Sequence, residues 1–121
     1  MNAIGTALSL ARLYGDLVSS KPVLLEPSTV DLGRTELSRG TCAVTGRPYA
    51  FGLGWELPAV SALGPPTDAF GHTGSGGSSH GAWPSLRVGF SFVPGELLPE
   101  LRDDRAHRLL SALHDALTRV T

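Results

Sequence analysis

Apolar residues recur at helical spacing near both ends of this chain and at every second position through its middle. Ile4, Ala7, Leu8, Ala11, Tyr14 and Val18 form one helical stripe, which predicts a helix over Ile4 to Val18. Leu10, Leu13 and Leu17 form a second stripe on the same helix. A helix apolar on two faces needs neighbours on two sides, and few other helices are predicted to supply them. Part of its packing is therefore expected to come from residues outside this chain.

Lys21-Pro22 ends that helix, because proline disfavours helical backbone in the residue before it. Glu26-Pro27-Ser28-Thr29 predicts a short second helix through Val30 and Leu32, with Ser28 or Thr29 as its cap. Gly33 to Pro48 reads as a polar loop. The period then becomes two. Tyr49, Phe51, Leu53, Trp55 and Leu57 alternate with Ala50, Gly52, Gly54 and Glu56, predicting one strand with a bulky face and a small face. Pro58 to Asp68 reads as a loop on its prolines and glycine. Ala69 to Gly74 and Ser78 to Trp83 predict two short strands joined at Gly76-Gly77, with a turn at Pro84-Ser85. Leu86, Val88, Phe90 and Phe92 then alternate with Arg87, Gly89 and Ser91 in a half-buried strand.

An amphipathic helix closes the chain. Asp103 and Asp104 stand at its start, where acidic groups complement the helix dipole. Ala106, Leu109, Leu110, Leu113, Ala116, Leu117 and Val120 form its apolar face, opposite Arg108, Ser111, Asp115 and Arg119. The predicted architecture is α+β: an antiparallel β-sheet, including a three-strand meander, with flanking helices and the last one packed on the sheet.

Composition narrows the class. The chain has 121 residues, 41% hydrophobic and 17% charged, which suits one small soluble domain. A net charge of −1 with scattered basic residues makes no electrostatic case for nucleic acid or an anionic membrane. No secretory signal is visible, no apolar run approaches a membrane span, and a cytoplasmic protein is expected. The single cysteine, Cys42, reads as a small buried apolar residue.

The unusual segment is Phe70-Gly71-His72-Thr73-Gly74-Ser75-Gly76-Gly77-Ser78-Ser79-His80-Gly81. As a phosphate loop it has Gly71, Gly76 and Ser78 in place, but Gly77 stands where lysine would reach the phosphates. It also leads into a strand, without the helix N-terminus that binds anions. As a metal site it offers His72 and His80, which converge if their strands pair, with only Asp68 near. His107 and His114 are expected to be solvated. No metal site and no cofactor is expected.

A third reading rests on resemblance. His72-Thr73-Gly74 followed by Ser75-Gly76-Gly77-Ser78 resembles the third motif of the serine β-lactamase-like hydrolases, in the H-T-G form of its esterase-like and carboxypeptidase-like branches. Four neighbours fit in order. Asn2-Ala3 with Ser9-Leu10-Ala11-Arg12-Leu13-Tyr14 resembles the family's N-A-R-x-L-A-R-L-Y helix. Phe51-Gly52-Leu53-Gly54-Trp55-Glu56 resembles its F-G-L-G-W segment. Arg87-Val88-Gly89-Phe90-Ser91-Phe92 resembles the strand after the motif, and Asp104-Arg105 resembles the start of the terminal helix.

The resemblance implies that residues 1–121 form an incomplete C-terminal portion of such a hydrolase domain, close to the family VIII-type esterases. It implies that His72, Thr73, Gly74 and Ser75 line an active-site cleft. The His and Thr would bind substrate or move a proton, and the Ser75 N–H would form half of an oxyanion hole. The bland alternative is a strand histidine in a glycine-rich hairpin.

The family's nucleophile stands in Ser-x-x-Lys. The only lysine here is Lys21, and Val18 stands three residues before it. The family's tyrosine motif is also absent, since Tyr14 and Tyr49 are followed two positions on by Asp16 and Phe51. The resemblance therefore carries fold and one wall of a cleft, without hydrolysis. A companion N-terminal chain could complete the enzyme, or the chain could be a binding or dimerisation module. The family's first two strands come from the N-terminal end of the full domain, so the edge of strand Leu86 to Phe92 is expected to be unpaired. A third possibility, direct catalysis by Ser75 or Ser78 with His72 or His80, needs only a Ser/His pair.

Overall fold

A computed structural model describes residues 4–59, 61–99 and 102–120. Asn2 and Ala3, part of one quoted motif, lie outside the described residues.

The first helix, α1, runs Ala7–Leu17. It starts later than its apolar stripe because Thr6 caps it. Thr6 Oγ1 accepts from the Ser9 backbone N–H at 3.1 Å, and Ser9 Oγ accepts from the Thr6 N–H at 3.1 Å. Tyr14 and Leu17 are buried, while Leu8 and Leu13 remain exposed. The covered side therefore draws on both predicted stripes, and each stripe leaves a residue exposed. Pro27 sits in the first turn of α2, Pro27–Gly33, whose cap position is Glu26 without a side-chain bond. The capping role expected of Ser28 or Thr29 does not occur, because proline already fixes the backbone one residue earlier.

The segment read as a polar loop contains a strand. β1, Ser38–Thr41, pairs antiparallel with β2, Pro48–Phe51, in the register Ser38↔Phe51 to Thr41↔Pro48. All four β1 residues are exposed, so no apolar alternation announced it. Conversely, the long strand expected over Tyr49 to Leu57 stops at Phe51. The chain turns there, with Gly54 at φ +82°, and Gly52 packs directly on the Gly33 carbonyl. Ala50, on the small face, is fully buried, whereas Tyr49 and Phe51 are half-buried.

After the turn, Glu56 bridges Phe51 on one side and Gly71 on the other. Its N–H donates to the Gly71 carbonyl at 2.8 Å, and its carbonyl accepts from the Gly71 N–H at 3.1 Å. This one residue links the hairpin to a meander of β3 (Phe70–Thr73), β4 (Ser79–Trp83) and β5 (Val88–Phe92). Leu86 belongs to a 3₁₀ turn over Pro84–Leu86, and β5 starts after Arg87. Among the described residues β5 pairs with β4 alone and forms the sheet edge.

Side chains alternate across the sheet, so two cores form. Phe70 and Ala82, paired in register, join Tyr14 and Leu17 under α1. Trp83, the next residue, points the other way and joins Leu63, Phe90 and Leu110 under α3, which runs Arg105–Val120. Leu109, Leu113 and Val120, expected on the buried face of α3, are exposed. The face turned to the sheet carries Leu110 and Leu117, as expected, together with His114. His114 is therefore only partly solvated: its ring meets Trp83 edge-on at 6.0 Å. Among the described residues no helix is long and apolar enough to cross a membrane.

Candidate functional site

A cleft of about 690 Å³ opens where β3 runs into the turn before β4. Three strand-end residues line it: His72, Thr73 and Gly74. Tyr49 and Phe51 line it from the hairpin, and Ala106 and His107 from the start of α3. The resemblance-derived residues are thus gathered at one opening, except that Ser75 stands exposed at the turn itself. Ser78 also lines the cleft, and its hydroxyl packs directly on Gly74. The Gly77 N–H donates to the Gly74 carbonyl at 3.0 Å and closes the turn.

Thr73 is held by a residue whose part the sequence did not reveal. Glu56 Oε2 accepts from the Thr73 backbone N–H and from the Thr73 hydroxyl, each at 2.8 Å. The Glu56 side chain is 20% exposed, so these charge-assisted bonds are partly shielded from water. The carboxylate thereby continues the β3 ladder one rung past the backbone pairing of Glu56 with Gly71. The glutamate was visible at the end of the quoted F-G-L-G-W segment, but only the turn at Gly54 brings it to Thr73.

His72 is exposed, and its ring lies 5.9 Å from that of Phe51. Its Nδ1 sits 2.7 Å from the Thr73 carbonyl oxygen, so that nitrogen carries a proton and Nε2 is left to the solvent side. Directly across the ladder, His80 Nδ1 lies 2.8 Å from Ser91 Oγ. His72 and His80 do pair across strands, as the metal reading required. Among the described residues, however, no three potential ligands gather closely enough to hold a metal ion. Among the described residues a Ser/His contact forms between Ser91 and His80, neither of which lines the cleft.

Burial pushes the His80 pKa below its ordinary 6.5, and the charge of nearby His72 adds to this. The unfolded chain therefore binds a proton at His80 at a pH where the folded chain does not. Stability present above about pH 6.5 is lost as pH falls toward the lowered folded value. The urea midpoint should be lower at about pH 5.5 than at about pH 7.5, and His80→Asn should narrow that gap. An unchanged gap in the variant would assign it to other groups.

Two further features shape the rim. Asp103 accepts from Arg105 Nε at 2.8 Å and Nη2 at 2.7 Å, and this guanidinium holds the carboxyl below its ordinary range. Arg105 Nη2 also donates to the Glu96 carbonyl at 2.8 Å, tying the loop after β5 to α3. Cys42, expected to be buried, is half-exposed in the hairpin turn and lines the cleft. A side-chain hydrogen bond with Thr45 lowers its thiol pKa. Iodoacetamide should therefore add one group to the native protein without denaturant, read by mass; a requirement for denaturant would contradict this placement.

No family model and no curated protein matches the sequence. Solved structures do. A penicillin-binding protein homolog from Caulobacter crescentus superposes with a TM-score of 0.82 at 30% identity, over 93% of this chain and 32% of that one. EstA from Arthrobacter nitroguajacolicus Rue61a gives 0.84 at 25% identity, over 97% of this chain and 33% of that one. A family VIII carboxylesterase gives 0.77 at 22% identity, over 89% and 30%. The chain spans about a third of the length of these proteins.

Proposed function

We propose, from the premise that this chain has the serine β-lactamase-like fold over about a third of its solved relatives' length, that it forms one wall of an acyl-transfer site. In this reading the chain is the C-terminal portion of an esterase-like or carboxypeptidase-like domain. A substrate carbonyl lies along the end of β3. The Ser75 N–H supplies one oxyanion donor, and His72, Thr73 and Gly74 contact the substrate. The sequence holds no Ser-x-x-Lys, so the attacking hydroxyl and its activating lysine have to come from outside these residues.

The observation that carries this reading is the fixing of Thr73 at the cleft lip, with its backbone and hydroxyl both anchored at 2.8 Å beside Gly74. The chain alone should not hydrolyse p-nitrophenyl butyrate above the buffer rate, nor take up a labelled fluorophosphonate. It should bind the unreactive ester methyl butyrate weakly, with amide shifts centred on Thr73 and Gly74. Labelling by the fluorophosphonate would sink the claim of an absent nucleophile, and shifts confined to other surfaces would sink the claim of a wall.

A second reading is favoured by the open surfaces. Leu8 and Leu13 on α1, Leu109, Leu113 and Val120 on α3, and the edge of β5 are all uncovered. They suit an interface with a companion chain or with a second copy. Light scattering discriminates: a stable dimer favours a module that pairs with itself, and a monomer favours a companion.

A further inference from the structure

Resting on the cleft reading above, we infer that Glu56 is a specificity-determining residue that turns carboxylate-bearing ligands away from the end of β3. A ligand carboxylate held at Thr73 needs N–H or O–H donors. Thr73 has two, its backbone N–H and its hydroxyl, and both are given to Glu56 Oε2 at 2.8 Å. A hydroxyl carries one proton. With that proton on Glu56, Thr73 Oγ1 presents only lone pairs to the cleft.

Charge acts in the same direction. Glu56 lines the cleft, so an anion at Thr73 would sit beside a second carboxylate. The other lining carboxylate, Asp103, is already neutralised by Arg105. His72 Nδ1 is turned to the Thr73 carbonyl, adds no donor at Thr73 Oγ1, and stands 3.9 Å from Glu56 Oε2, which it offsets only when the imidazole is protonated. The lining guanidinium, Arg47, belongs to the hairpin turn and not to β3. The ligands that fit are uncharged acyl compounds. Those with an N–H or O–H aimed at Thr73 Oγ1, such as a neutral amide or a hydroxy ester, fit best.

The test titrates the ¹⁵N-labelled chain with two ligands of nearly one shape and different charge, methyl butyrate and butyrate. Methyl butyrate should shift the Thr73 and Gly74 amides, and butyrate should be weaker by on the order of ten-fold. Glu56→Gln should reduce that ratio several-fold while leaving the rest of the amide spectrum in place. Should that variant not fold, added salt makes the same test on the native chain: like-charge exclusion is screened, so the disadvantage of butyrate should shrink. Butyrate shifting Thr73, Gly74 or Arg47 as strongly as the ester would overturn the inference while leaving the cleft reading intact. A ratio insensitive to both Glu56→Gln and salt would overturn it too. Failure of both ligands to move any cleft amide would remove the cleft reading, and this inference with it.

Discussion

Trp83→Ala should destabilise the chain by about 3–5 kcal/mol. Trp83 is fully buried and ties together four pieces of structure. It sits at the end of β4, its ring lies 5.2 Å from Phe90 on β5, and His114 of α3 meets it edge-on. Its Nε1–H donates to the Leu63 carbonyl at 2.8 Å, which fixes the loop between Pro58 and Asp68. Alanine would leave a cavity at the junction and orphan a buried carbonyl. A domain of this size has a total stability of about 5–15 kcal/mol, so much of it would be gone. Urea unfolding followed by far-ultraviolet circular dichroism gives the readout. Trp83→Phe should fall between the two, since it keeps the ring and loses the donor. A Trp83→Ala midpoint close to the native one would show that the second core does not hold the fold.

Gly89→Ala should also be strongly damaging, and Gly15→Ala should be harmless, although the two glycines face each other. A methyl group on Gly89 would run into the Gly15 backbone nitrogen and the Ala11 carbonyl oxygen. Both belong to the backbone of α1, so no side-chain rotation relieves the clash. The helix would have to lift off β5 and uncover Tyr14 and Leu17. Overpacking of this kind costs about 1–3 kcal/mol and occasionally more. On Gly15 the new methyl would stand 3.9 Å from the Gly89 nitrogen, an ordinary contact. Gly15 lies inside α1, where alanine is favoured by up to about 1 kcal/mol. Opposite signs for the two variants in urea unfolding are the expected result. Equal destabilisation would mean that α1 does not lie on β5 as described.

Much of the local structure was legible because it rests on period and punctuation. The helices over Ala7–Leu17 and Arg105–Val120 and the meander from Phe70 to Phe92 follow from apolar spacing and from glycine and proline between the runs. The misreadings have physical causes. β1 is polar and exposed, so its strand character comes from pairing with β2 and leaves no hydrophobic trace. The alternation from Tyr49 to Leu57 is real, but Gly54 at positive φ folds it back on itself. His114 looked solvated because its place depends on a tryptophan from another strand.

The candidate site divides in the same way. His72, Thr73 and Gly74 could be picked out by their resemblance to a family motif, and as neighbours in sequence they stay neighbours at one strand end. What holds them could not be picked out in this way. Glu56 lies 17 residues from Thr73, and the two meet only because the turn at Gly52 to Gly54 returns the chain beside β3. The sequence alone determined the two long helices, the three-strand meander with its glycine-rich strand end, and the lack of a Ser-x-x-Lys pair. The tertiary structure alone decided which carboxylate anchors Thr73, which face of each helix is covered, and that Cys42 stands at a cleft. The reason is range: spacing encodes which side of an element is apolar, whereas contacts between distant residues depend on where turns send the chain.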